Sequence, residues 1–189
     1  MLPVERLSIP DVLIVRPDRY PDARGYFSET YSRARFAEIG IDVEFVQDNQ
    51  SFSAERGVLR GLHFQAPPHA QGKLVRVVAG RIFDVAVDLR SGSPTFGRHV
   101  AAEISAGDGR QIWVPAGFAH GFVTLAPATE VLYKVTSPYA PAAEMGIAWD
   151  DPALAIDWPV EPGAVILSDK DSRLPRLGGL GDIFPKGSV

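Results

Sequence analysis

Between Asp11 and Thr136 the chain is a succession of short strand-type segments set so close together that little but β-structure fits. DVLIV (11–15), VLRGLHF (58–64), KLVRVVAG (73–80), RIFDVAVDL (81–89), RHVAAEI (98–104), RQIWV (110–114), HGFVTL (120–125) and EVLYKVT (130–136) are each rich in β-branched or aromatic residues and bounded by Gly, Pro, Ser or Asp. Strands this short and this closely spaced point to a β-sandwich or barrel. One helix is predicted, with Ser32 as N-cap, Phe36 and Ile39 on one side and Gly40 at its end; a second short helix is expected to start near Asp151-Pro152. No fixed-period repeat is present. The Gly-rich polar tail from Gly178 to Val189 reads as loosely packed.

At 189 residues the chain suits one domain with a core of its own, and 46% hydrophobic with 22% charged residues excludes global disorder. A net charge of −4 offers no bulk attraction to nucleic acid, although locally clustered arginines could still hold an anionic ligand. The absence of cysteine excludes disulfides, thiolate metal ligands and a cysteine nucleophile, and fits a reducing cytoplasm. The opening MLPVERLSIPDVLIV has no basic region ahead of a long apolar stretch, so it does not read as a signal peptide. No apolar run approaches the ~20 residues that span a bilayer, and a membrane partner is not expected.

In RIFDVAVDL, Phe83, Val85, Val87 and Leu89 share one face, and Asp84, Ala86 and Asp88 the other. The two aspartates either line a polar barrel wall or face water. In EVLYKVT, Val131, Tyr133 and Val135 share a face. GLHFQAPPHAQGK (61–73) gathers two histidines, a glutamine pair and a lysine around Pro67-Pro68. Further on, Gly-x5-Pro-x-Gly-x2-His, from Gly109 to His120, resembles the second sequence motif of the cupins, small β-barrels with an open mouth. The first cupin motif would supply His-x-His and a Glu for a metal. Here His63 is followed by Phe64 and Gln65, His69 falls in the Pro-rich loop, and Gln71-Gly72-Lys73 stands where a carboxylate ligand belongs. His63, His69 and His120 could bind zinc or iron, but the broken spacing and the charge of Lys73 disfavour a divalent cation. What remains suits proton transfer: a histidine base, a lysine to stabilise an enolate oxygen, a tyrosine to return a proton, and Asp84 and Asp171 to orient the histidines.

DARGYFSETY (22–31), FVQDNQS (45–51), GVLRGLHFQ (57–65), AQGKLVRVVAGRIFDVAVDLRSGSPTFG (70–97), WVPAGFAHGF (113–122), VLYKVT (131–136) and LSDKD (167–171) together resemble the dTDP-4-dehydrorhamnose 3,5-epimerase family. The resemblance implies an all-β, cupin-type β-barrel (jelly roll) with a few short helices, needing no metal or other cofactor and working as a homodimer in dTDP-L-rhamnose biosynthesis. Its substrate would be dTDP-4-dehydro-6-deoxy-D-glucose, inverted at C3 and C5 through enolates. The family's base falls on His63, its proton donor on Tyr133 and its enolate-stabilising lysine on Lys73. Asp171 matches the aspartate paired with the base, with Asp169 the nearby alternative, and His120 and Asp84 match a second histidine–aspartate pair. Arg24 and Arg60 match diphosphate-binding residues, a task guanidinium suits. Glu29, Gln47, Asp48, Asn49, Glu144 and Lys170 match further ligand contacts, and Phe27 and Tyr139 are candidates to pack on thymine. In the family the Arg24–Glu29 segment reaches the neighbouring subunit's site.

A single domain is then expected over 1–189. Residues 1–56 carry N-terminal strands, the helix and dimer or nucleotide contacts; 57–140 form the barrel core; 141–189 form a C-terminal extension. Strict alternation puts Arg60 and His63 on opposite faces of one strand unless Gly61 hosts a bulge. Related enzymes that invert only C3 or only C5, or isomerise the ketone, a metal-dependent cupin oxygenase and a non-catalytic nucleotide-sugar binder are the competing readings.

Overall fold

A computed structural model describes all residues from 1 to 189. In chain order its strands are β1 (Val4–Arg6), β2 (Leu13–Val15), β3 (Tyr20–Asp22), β4 (Gly25–Phe27), β5 (Gln47–Ser53), β6 (Leu59–Gln65), β7 (Lys73–Ala79), β8 (Arg81–Asp88), β9 (His99–Ser105), β10 (Gln111–Val114), β11 (Phe118–Thr124), β12 (Thr129–Val135) and β13 (Glu144–Gly146). A six-stranded sheet, β1-β2-β10-β7-β12-β5, packs on a five-stranded sheet, β13-β6-β11-β8-β9, and β3 and β4 form a separate hairpin. Successive strands β5 and β6, β7 and β8, and β10 and β11 lie in different sheets, so the chain crosses the barrel repeatedly. This is the all-β, cupin-type jelly roll that the sequence implies. It draws β1, β2 and β5 from the first 56 residues as well as strands from 57–140.

The sharpest crossing is at Gly80, the one residue between β7 and β8. Its φ of +75° is open to glycine, and a Cβ there would run into Thr129. Beyond it, β8 is buried on both faces. Ile82 and Ala86 point between the sheets, where they meet Val75, Val77, Ile112 and Val131 of the large sheet. Val85, Val87 and Leu89 point the other way and are covered by Ile147, Leu154 and Phe184 of the C-terminal extension. Each such side chain contributes about 1.5–3 kcal/mol on burial, so the extension is part of the core. A third cluster seats Phe36, Ile39 and Ile41 on Leu13, Leu74 and Trp113 at the outer face of the large sheet.

Three expectations change, and one strand is added. The helix α1 spans Arg33–Ala37, and Ser32 occupies the N-cap with extended backbone but makes no side-chain cap bond. No helix starts at Asp151; its carboxylate accepts the backbone N–H groups of Ala153 (2.9 Å) and Leu177 (2.7 Å), which folds the segment into a turn. The tail is pinned, because Phe184 is buried against Phe64 and its carbonyl accepts the Ser91 N–H at 2.8 Å. β5 forms from QDNQSFS, which low β-propensity hides from a pattern search although its burial alternates residue by residue.

Candidate active site

The barrel's open end gathers its polar side chains by strand register. His63 of β6 lies directly opposite His120 of β11. One residue later the register shifts, so that Gly61 and Leu62 together oppose Gly121 alone. Gly61 has φ +133°, and a Cβ on it would strike the backbone of His120 and Gly121. This bulge cancels strict alternation and turns Arg60 and His63 to the same chamber, resolving the conflict in the strand pattern. The chamber measures about 400 Å3; Ser51, Arg60, His63, Lys73, His120, Tyr133 and Asp171 are on its walls. A second hollow of about 270 Å3 shares His63, Lys73 and Tyr133 and opens toward Gln47, Asn49, Tyr139 and Glu144.

His63 Nε2 lies 2.5 Å from Asp171 Oδ1. Asp169, the alternative partner, is exposed and its carboxylate makes no hydrogen bond to His63; only its backbone carbonyl is engaged, accepting from Ser172 and Arg173. Burial pushes the Asp171 carboxyl up, but its hydrogen bonds with His63 and Ser168 outweigh burial and hold it below the usual carboxylate range. Asp171 is therefore ionised beside His63, which leaves Nδ1 as the ring nitrogen able to take a proton. Asp84, on β8, accepts from His120 Nε2 at 2.9 and 3.0 Å and is wholly buried. Burial of Asp84 and Asp88 excludes the water-facing reading for both. They do different work: Asp88 accepts from Arg90, Ser93 and Thr95 and organises the loop after β8.

Lys73 enters from the large sheet, buried, with Nζ donating to the His63 carbonyl at 3.3 Å. Burial lowers its pKa to about 8, against the pull of Asp84 and Glu144. At pH 7 the group is still about 90% protonated and can donate. Burial also raises the phenol of Tyr133, on β12, so it keeps its proton through neutral pH. Arg60 makes no ion pair; its guanidinium rests on Ser53 Oγ (3.3 Å) and the Phe52 carbonyl (3.0 Å). At the mouth, Glu144 binds Lys170 Nζ (2.5 Å) and accepts from the Tyr139 hydroxyl (2.7 Å).

Most sequence-predicted residues therefore converge. Four do not. Asp48 points away from the chamber, because it alternates with Gln47 and Asn49 along β5, and it pairs with Lys134 at 2.8 Å on the outer face. Arg24, Phe27 and Glu29 belong to or follow the β3–β4 hairpin, outside both hollows. Arg24 pairs only with Asp22, Glu29 sits 3.5 Å from Arg35, and Phe27 is 69% exposed, which excludes an ordinary core role within this chain. His69 is exposed in its loop, apart from the other histidines.

Residues that sequence reasoning missed are chiefly supports. Gln65 donates to the carbonyls of His69 (2.7 Å) and Pro138 (3.2 Å) and accepts from the Ala140 N–H (2.8 Å). Gln71 donates to the Ser137 carbonyl at 2.6 Å. The glutamine pair thus holds the loop that presents Tyr139. Its presence in the histidine-rich stretch was the available signal, but apart from His69 its partners lie about seventy residues away in sequence.

A cupin-type barrel whose interior joins an oriented histidine, a buried ammonium and a protonated phenol is built for moving protons at carbon. The family model described as dTDP-4-dehydrorhamnose 3,5-epimerase matches residues 6–178. A dTDP-4-dehydrorhamnose 3,5-epimerase of Pseudomonas aeruginosa is 54% identical over 181 residues, covering 95% of this chain and 98% of that one. Its counterpart in Sinorhizobium fredii is 53% identical over 173 residues, covering 92% and 88%. A crystal structure of the dTDP-6-deoxy-D-glucose-3,5-epimerase of Legionella pneumophila, in complex with dTDP-4-keto-L-rhamnose, superimposes with a TM-score of 0.94 at 44% identity and covers all of both chains. The chain belongs to the dTDP-4-dehydrorhamnose 3,5-epimerase family.

Proposed function

We propose that this chain converts dTDP-4-dehydro-6-deoxy-D-glucose to dTDP-4-dehydro-L-rhamnose by inverting C3 and C5. The observation that carries the mechanism is the convergence of the His63–Asp171 pair, Lys73 and Tyr133 on one chamber. The C4 ketone acidifies the neighbouring C–H bonds. His63 Nδ1 takes the proton, the electron pair moves onto the C4 oxygen, and the Lys73 ammonium stabilises the enolate. Tyr133 returns a proton from the opposite face of the ring. His63 then gives its proton to solvent and Tyr133 regains one from it, and with both groups reset the same steps act at the second carbon. Asp171 stabilises the imidazolium, and His120 with Asp84 supports the wall beside Lys73.

Diphosphate requires fixed positive charge. Within its own chamber the chain offers Arg60 as the arginine free of a carboxylate, since Lys170 is neutralised by Glu144. The missing charge comes from a second copy: the chain works as a homodimer in which Arg24, exchanging its exposed pair with Asp22 for the diphosphate, and Phe27 and Glu29 of one copy reach the chamber of the other. The hairpin's exposed aromatics support this reading: Tyr20 (53% exposed) and Phe27 (69%) stack on one face, and Tyr26 (58%) stands on the other. Gln47, Asn49, Tyr139, Glu144 and Lys170 then line the nucleotide side. The reaction draws on these side chains alone, with no added cofactor.

The test is NMR of the 4-keto sugar nucleotide incubated in D2O with chelator-treated protein. Deuterium at both C3 and C5, with the L-rhamno ketone formed, is expected. Label at one carbon would make the chain a mono-epimerase. Intact dTDP binding with no label would make it a binding protein, and activity restored only by added metal would overturn the acid–base mechanism.

A further inference from the structure

Ser51 carries the only buried side-chain polar atom in the structure that has no hydrogen-bond partner. A buried hydroxyl ordinarily finds one, because an unmet donor or acceptor inside a protein is destabilising. This hydroxyl belongs to a residue on the chamber wall, with Arg60, His63, Lys73, His120 and Tyr133. Its strand shows where on the wall it stands. On β5, Asn49, Ser51 and Ser53 share the inward face, and β12 places Tyr133 opposite Asn49 and Val131 opposite Ser51. Ser53 Oγ accepts from Arg60 Nε, and the neighbouring Phe52 carbonyl accepts from Arg60 Nη2. Ser51 is therefore one strand repeat, about 7 Å, from the residue that holds the Arg60 guanidinium. Lys73 stands farther off, since it aligns through Val135 with Gln47, at the other end of β5.

We propose that Ser51 is a substrate-binding residue whose hydroxyl, turned about χ1 from its buried position to face the chamber, donates to an oxygen of the phosphate next to the sugar, the group that Arg60 binds. The proposal rests on the dTDP-sugar reading above and adds to it a ligand contact that none of the residues singled out by sequence supplies. It accounts for the orphan atom: the hydroxyl is kept without a protein partner so that the ligand can be one. A phosphate oxygen is the fitting acceptor, because a hydroxyl beside a guanidinium can donate to the same anion without competing for its charge.

The test compares wild type with Ser51→Ala and Ser51→Cys, which is nearly isosteric but a poor donor. Calorimetric binding of dTDP is expected to weaken at least tenfold in both variants. The KM for the sugar nucleotide should rise similarly while kcat stays within threefold, because a phosphate contact is made equally in ground and transition states. The ligand-free melting temperature of Ser51→Ala should not fall, since the variant removes a group without a partner. Binding of dTDP by both variants within twofold of wild type would overturn the role of Ser51 while leaving the epimerase reading intact. Wild type that binds no dTDP would instead sink the functional reading, and this inference with it.

Discussion

Lys73→Met replaces a buried ammonium by an apolar side chain of similar length, and it should trade activity for stability. In the folded chain burial lowers the lysine from 10.5 to about 8. A depression of that size corresponds to about 3 kcal/mol held against the folded state at pH 7. That figure is already net of the attraction to Asp84 and Glu144; loss of the hydrogen bond to the His63 carbonyl reduces the gain to about 1–3 kcal/mol. For a chain of this size that raises the melting temperature by roughly 2–4 °C per kcal/mol. The sign follows from proton binding. Between pH 8 and 10.5 the unfolded lysine holds a proton that the folded one has released, so wild-type stability climbs with pH across that window. The advantage of Lys73→Met should be largest at pH 7 and should lose about 2 kcal/mol by pH 9.5. Thermal and urea denaturation of both proteins, at one protein concentration and at both pH values, measures it. Enolate stabilisation is lost at the same time, so kcat should fall by about 10²-fold or more. A variant less stable than wild type by the same amount at pH 7 and pH 9.5 would refute the reasoning, because Lys73 would then act as packing and not as a strained charge.

Asp171→Asn should lower kcat about 10²-fold or more with dTDP affinity kept, since it removes the carboxylate that orients His63 and stabilises its protonated form; turnover and calorimetry check the two halves. Asp88, lowered to about 2 by its hydrogen bonds despite burial, contributes stability that is present above its unfolded pKa of 3.8 and lost as pH falls toward 2. Asp88→Asn should therefore lose about 2–4 kcal/mol at pH 7 and show a weaker acid dependence than wild type, with turnover per folded molecule unchanged, all measurable by denaturation between pH 3 and 7. Mixing Arg24→Ala with His63→Ala chains should regenerate one intact chamber per mixed dimer and so about half of wild-type turnover per mixed dimer. If Arg24 served its own chain's chamber, mixing would restore nothing.

Much of this molecule is legible locally. Strand-type segments, their turn residues and the two-residue alternation come from side-chain shape and backbone geometry within a few positions. They place Val131, Tyr133 and Val135 on one face and divide β8 into two, and the residue types name proton transfer as the chemistry. The resemblance to known blocks assigns roles. Pairing between strands is nonlocal, and there the sequence is silent. His63 and Asp171 are 108 positions apart and meet only because the C-terminal extension folds back over β6. Alternation cannot say whether the polar face of β8 meets water or a chamber, because that depends on the sheet packed opposite. One bulge at Gly61, set by close approach to β11, reverses the face of every residue before it and so brings Arg60 beside His63. The same two-residue period turns Asp48 outward between two inward neighbours. Composition and spacing decided which reactive groups this chain possesses. Only tertiary structure, through register, closure of the barrel and burial, decided which of them share a cavity and which carry their protons there.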